Sequence, residues 1–134
     1  MSKIKLLKDV FKKINKDKSI INNCINTQKY VYNNYFFGYN TKTEIMNDFK
    51  DEFNELWNEI SKEDITKIEM EIGDLLFVLC NISNKYNINL DDALKKSTVE
   101  YQKRLEYIEN KVGSMNLNRD RIIDLWNEAK NRNN

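Results

Sequence analysis

An all-α fold of four to five bundled helices is the expectation, and three observations carry it. The 134-residue chain has no proline and only three glycines, so long helices are permitted and an all-β fold is disfavoured. Apolar residues recur every three or four positions through one segment after another, which is the helical period. Polar breaks separate those segments, at Ser61–Asp64, Asn87–Asn89 and Ser114–Leu117, and several offer capping side chains.

Residues 1–18 place Ile4, Leu7, Phe11 and Ile14 on one helical face among lysines. Three readings compete for this basic extension: a surface helix packed on the domain, a membrane-surface helix, or a targeting presequence. The first is expected, because the apolar face is short, arginine is absent, and no apolar core or cleavage pattern follows. Residues 19–134 form the remaining domain. In residues 19–37, Ile21, Cys24 or Ile25, Gln28, Val31 or Tyr32, and Tyr35 follow near-heptad spacing until Gly38 and Asn40 break it.

Residues 41–60 form the next helix, capped by Thr41 or Thr43, with Ile45, Phe49, Phe53, Leu56, Trp57 and Ile60 as its apolar face. Residues 65–86 form another. From Leu75 to Ile82 it is apolar nearly all round, interrupted only by Asn81, so it needs cover on more than one face. A partner subunit is a reasonable source of cover in so short a chain, and a homodimer through the central helices is expected. Asn89 caps a fifth helix, with Asp91 and Asp92 in its first turn and Gly113 as its stop. Leu94, Tyr101, Leu105, Ile108 and Val112 give it a stripe. Asn118 caps the last helix, which packs through Ile122, Leu125 or Trp126, and Ala129.

The chemistry concentrates in Lys50–Ile82. Glu52 with Glu55, and Glu71 with Asp74, are pairs spaced by three residues, so each pair projects from one helix face. Taking the turn near Lys62, the pairs centre about nine residues before it and about ten after, roughly 14 Å from one hairpin end. In an antiparallel hairpin the four carboxylates therefore lie at one height. Glu52 borders the apolar stripe between Phe49 and Leu56, and Glu71 and Asp74 open the most apolar run of the chain. Acids so close to a core call for protonation or a cation. Glu59 and Glu63 continue the acidic side as solvated residues, and Glu59 could assist a second cation.

Composition narrows the classes. Lysines and arginines number 22 against 21 acids, a net charge of +1, which argues against a nucleic-acid partner. Nothing approaches the ~20 apolar residues of a membrane span, so no membrane partner is expected. The two cysteines, Cys24 and Cys80, fit no metal or redox spacing and are read as buried free thiols in a reducing, cytoplasmic setting. There is no histidine. That removes Ser–His and Cys–His catalysis and most zinc chemistry. A metal here must be held by oxygen, which suits magnesium or manganese. With no P-loop, a motor-type ATPase is disfavoured.

Glu52, Glu55, Glu71, Gly73 and Asp74, followed by LLFVLCNI, closely resemble the paired Glu-x-x-Glu and Glu-x-x-Asp signature of the MazG family of nucleoside triphosphate pyrophosphohydrolases. The resemblance covers roughly residues 19–130. It implies a dimerising helical bundle of the all-alpha NTP pyrophosphatase type that hydrolyses a nucleoside triphosphate between its α- and β-phosphates. Catalysis would rest on Glu52, Glu55, Glu71 and Asp74 holding magnesium, or else manganese. Asn81 matches a position usually Asn in the family and would contact substrate or metal-bound water. Phe36–Asn40 is similar to the aromatic turn that precedes the family's first motif, with Tyr39 in place of Trp. Arg104 falls where the family has a phosphate-binding arginine, and Trp126 and Lys130 match a Trp and Lys of its nucleotide site. Thr98 and Glu100 depart from the family's Asn and Lys, the second with reversal of charge. That departure favours an alternative, a catalytically weak dimeric helical module that binds nucleotide or a protein partner. A relative specialised for dUTP, dCTP or a phosphoribosyl nucleotide is a further rival.

Overall fold

The computed structural model describes residues 6–132. Among them run six helices and no strand: α1 (Leu7–Ile14), α2 (Ile20–Tyr35), α3 (Lys42–Lys62), α4 (Ile65–Lys85), α5 (Leu90–Val112) and α6 (Arg119–Arg132). The all-α expectation is borne out. Ile4, expected on the apolar face of the first helix, lies outside the described residues.

The helix ends follow from local chemistry. Ser19, Thr41, Asp64 and Asn89 each accept a hydrogen bond from the backbone N–H three residues on. Asn118 Oδ1 accepts from the Arg121 N–H at 2.8 Å. These side chains satisfy donors that a helix start leaves unpaired. Of the two candidate caps at the start of α3, Thr41 serves. Gly113 closes α5 in the left-handed conformation, φ 77°. α2 stops at Tyr35, before the glycine, because Phe36 itself turns left-handed at φ 54°. Gly38 is needed for space instead: a Cβ there would sit 2.7 Å from Cδ2 of Tyr32.

Two compact units divide the chain, Met1–Ile88 and Asn89–Asn134. In the first, α3 and α4 form a hairpin through two residues: Glu63, left-handed at φ 56°, ends α3, and Asp64 caps α4. So short a link turns the helices back antiparallel. α2 packs on α4, and α1 on α2. The α2–α4 seam is partly polar. Gln28, 7% exposed, donates through Nε2 to the Phe77 carbonyl at 2.9 Å. Asn84 Nδ2 donates to Gln28 Oε1 at 3.0 Å and to the Ile25 carbonyl at 3.3 Å. Beside these amides the thiols of Cys24 and Cys80 meet, both free. Burial, then the hydrogen bond to Cys80, pushes the Cys24 thiol up to about 12. A thiol so raised is a poor nucleophile at neutral pH.

Val78 and Cys80 of α4 are buried, whereas Leu76 and Phe77 remain about half exposed. On α3, Phe53 and Trp57 are exposed as well. In the second unit, α5 packs on α6 around Ile108, Leu125 and Ala129, all nearly inaccessible. The stripe on α5 is covered only at Leu105 and Ile108; Leu94, Tyr101 and Val112 stay exposed.

Leu125→Ala empties the centre of the α5–α6 contact. It is expected to cost about 2–5 kcal/mol, measured by urea denaturation followed by far-UV circular dichroism.

Candidate functional site

The hairpin brings the two acidic pairs together. Glu52 and Glu55 from α3 and Glu71 and Asp74 from α4 each offer a carboxylate oxygen, and the four oxygens lie within 4.8 Å of one another. Glu52 and Glu71 are half-buried, Glu55 and Asp74 exposed, so the cluster has a closed and an open side. Oε2 of Glu52 and Oε2 of Glu71 are buried without a hydrogen-bond donor. A buried carboxylate oxygen with no partner is costly. The oxygen-only donor set and these orphaned atoms fit a hard divalent cation.

Burial, followed by repulsion from Glu55, Asp74 and Asp48, pushes the Glu52 carboxyl up to about 7. Burial and then Glu55 and Asp74 also raise Glu71. Two carboxylates ~5 Å apart repel by about 3 kcal/mol at an effective dielectric of 20. Further along α3, Glu59 leaves Oε2 buried and unpartnered while Lys62 approaches its other oxygen at 3.8 Å.

A cavity of about 320 Å³ opens beside this cluster, lined by Gln28, Tyr32, Tyr39, Asn81, Asn84 and Lys85 among others. Tyr39 joins it to the acids. Its hydroxyl donates to Asp48 Oδ2 in a very short contact, lies within reach of the Asn81 amide, and senses the charge of Glu52. Burial, then that hydrogen bond to Asp48, raises the phenol well above its ordinary value. Lys85 Nζ donates to the Tyr39 carbonyl at 3.4 Å, tying the turn before α3 to the end of α4.

Asn81 thus lies where pocket and acidic cluster adjoin, two helical turns beyond Asp74. Three residues of this neighbourhood escaped sequence reasoning as site residues: Gln28, Asp48 and Asn84. Each left a signal. Gln28 is a polar residue on an otherwise apolar stripe, Asn84 lies three after Asn81, and Asp48 lies four before Glu52.

The other expected residues lie in the second unit. Arg104 rests over the ring of Trp126, 5.1 Å from its centroid, and its Nη2 donates to Glu100 Oε1 at 2.9 Å. Tyr101 meets Trp126 from another side, ring centroids 5.2 Å apart. The structure therefore brings Arg104 and Trp126 together and pairs Arg104 with the departure at Glu100. Lys130 projects exposed from α6. Thr98 donates to the Leu94 carbonyl of its own helix at 2.9 Å.

The two facing helices of the hairpin thus present four converging carboxylates of the kind that can hold a divalent cation, and comparison with known proteins gives the family. Residues 40–108 match the family model described as the MazG nucleotide pyrophosphohydrolase domain, and the chain belongs to that family. The match takes in both acidic pairs, Tyr39's neighbour Asn40, Asn81 and Arg104; α2 and α6 lie outside it. The chain is also 32% identical over 68 residues to YabN of Bacillus subtilis (strain 168), described as an uncharacterized protein. That similarity spans 47% of this chain and 14% of YabN. Among the described residues no helix is long and apolar enough to cross a membrane.

The acidic cluster sets the pH dependence of stability. An unfolded glutamate titrates near ~4.3, whereas Glu52 in the fold titrates at about 7. Between these values the folded state binds the extra proton, so stability falls as pH rises through that window. Metal-free protein is expected to melt at higher temperature near the bottom of the window than above it. Magnesium should raise the melting temperature chiefly above it, as scanning calorimetry in chelator and in magnesium would record.

Proposed function

We propose that the protein is a magnesium-dependent nucleoside triphosphate pyrophosphohydrolase, releasing a nucleoside monophosphate and pyrophosphate by cleavage between the α- and β-phosphates. The observation that carries the reading is the convergence of Glu52, Glu55, Glu71 and Asp74, with two of their oxygens buried and unpartnered, in a chain of the MazG family. These four side chains would hold the cation; manganese suits the same donors. When bound, such a cation neutralises phosphate charge and lowers the pKa of a coordinated water. One glutamate, with Glu55 the exposed candidate on α3, would orient the attacking water and take its proton. The bond from the α-phosphorus to the bridging oxygen breaks, and pyrophosphate leaves with that oxygen.

The cavity lined by Gln28, Tyr39, Asn81 and Asn84 is of a size to take a nucleobase and part of its sugar. Gln28 is pre-positioned by Phe77 and Asn84, and Asn81 lies within reach of the Tyr39 hydroxyl. Within the second unit, Arg104 and Lys130 would bind phosphates, and Trp126 would steady the Arg104 guanidinium as part of the nucleotide site. A homodimer is part of this reading, supported by the exposed Phe53, Trp57, Leu76 and Phe77 on α3 and α4. The free thiols suit a cytoplasmic setting.

A second reading, a catalytically weak nucleotide-binding module, is favoured by one observation: Glu100 occupies the guanidinium that phosphate would need.

A panel of common NTPs and dNTPs with magnesium, assayed for pyrophosphate and orthophosphate, tests both. Pyrophosphate release is expected, reduced on the order of 10²–10³-fold by Glu71→Gln with the circular dichroism spectrum unchanged. Orthophosphate alone would overturn the cleavage position, and nucleotide binding without turnover would select the binding module. Sedimentation equilibrium is expected to give twice the chain mass; Trp57→Glu should shift it toward the monomer.

A further inference from the structure

The cavity of the first unit is walled by side-chain amides. Which end of each amide is free for a ligand is decided by groups that can only accept a hydrogen bond. Backbone carbonyls are such groups. Gln28 donates through Nε2 to the Phe77 carbonyl at 2.9 Å, which leaves its Oε1 to accept from Asn84 Nδ2 at 3.0 Å. Asn84 Nδ2 also donates to the Ile25 carbonyl at 3.3 Å. Both N–H groups of Asn84 are therefore engaged. Its Oδ1 has no donor among the described residues and is the end left for the cavity that Asn84 lines.

Asn81 is set by a longer route. A carboxylate accepts only, so the Tyr39 hydroxyl gives its single proton to Asp48. Toward the Asn81 amide, which lies within its reach, the phenol oxygen then offers lone pairs alone. Asn81 meets it with Nδ2, and Oδ1 is again the free end. Asn81 and Asn84 stand three residues apart on α4, on one helix face, and both line the same cavity.

Two acceptors side by side call for a ligand with two donors. An exocyclic amino group carries two N–H donors on one nitrogen. A ring carbonyl in its place sets oxygen against oxygen and leaves both amides unpaired. We infer that this cavity selects a nucleobase bearing an exocyclic amino group, taking cytosine over uracil. Asn81 and Asn84 read the amino group, and Tyr39, Asp48 and Gln28 are positioning residues that hold the two amides. The inference rests on the nucleotide reading of the cavity and adds the substrate class to it. The ring N–H of uracil does not substitute, because a carbonyl flanks that single donor on each side. Lys29, exposed at the cavity on α2, brings a donor for the ring carbonyl that cytosine and uracil share, and so does not separate them.

Calorimetric titration with the α,β-methylene analogues of CTP and UTP, in magnesium, reads the selection without turnover. The cytidine analogue is expected to bind about ten- to a hundredfold more tightly. Tyr39→Phe frees the Asn81 amide to turn over and should narrow that ratio about threefold or more. Asn84→Ala should narrow it as well; it also unpairs Gln28 and the Ile25 carbonyl, so its melting curve is recorded beside that of Tyr39→Phe. Hydrolysis of CTP and UTP, assayed in parallel, keeps the two readings apart. Tighter binding of the cytidine analogue with no pyrophosphate released would sink the pyrophosphohydrolase and uphold the selection. Pyrophosphate released from both nucleotides at equal kcat/KM would sink the selection and leave the enzyme standing. The proposal is also overturned if the uridine analogue binds as tightly, if neither analogue binds at millimolar concentration, or if the cytidine preference is untouched in Tyr39→Phe.

Discussion

Repulsion among Glu52, Glu55, Glu71 and Asp74 is the constraint that the first unit answers to. Their oxygens gather within 4.8 Å, an arrangement that free side chains would avoid at several kcal/mol. The backbone enforces it. A two-residue link, with Glu63 left-handed and Asp64 as cap, fixes the register of α3 against α4. Burial of Glu52 and Glu71 leaves them little room to swing into water. What results is a site short of positive charge, and the raised carboxyls of Glu52 and Glu71 are the thermodynamic record of that shortage.

The rest of the unit supports the same hairpin. Gln28, Asn84 and the carbonyls of Phe77 and Ile25 lock α2 onto α4 through hydrogen bonds that must all be made once buried. This seam costs apolar contact but fixes the amides that line the cavity. Separately, the Tyr39 hydroxyl donates to Asp48 on α3 and its carbonyl accepts from Lys85, so the turn entering α3 is tied to both helices of the acidic hairpin.

In the second unit the decisive contest is over a guanidinium. Trp126 supplies a face for Arg104, and Glu100 an edge partner. The same side-chain types recur at Tyr107, with Arg132 and Lys111 over the ring and Glu128 on the hydroxyl. Aromatic planes thus organise cations that carboxylates only partly neutralise.

Much of this was legible in the sequence. Helical period, absent proline and the caps Thr41, Asn89 and Asn118 placed α3 to α6 to within a residue or two, since caps and periodicity are local. The end of α2 was the exception, where Phe36 took a conformation usually left to glycine. The acidic quartet was also legible, because two spacings of three residues and one short turn fix four side chains. Tertiary structure alone decided the pairing of Gln28 with Asn84, the meeting of Cys24 with Cys80, and the bond from Tyr39 to Asp48. It also decided that Glu100 takes the guanidinium of Arg104 and that Tyr107 gathers Lys111 and Arg132. The physical reason is that these contacts depend on how one helix is rotated and seated against another, or on which rotamer wins a local contest, and no spacing along one chain specifies either.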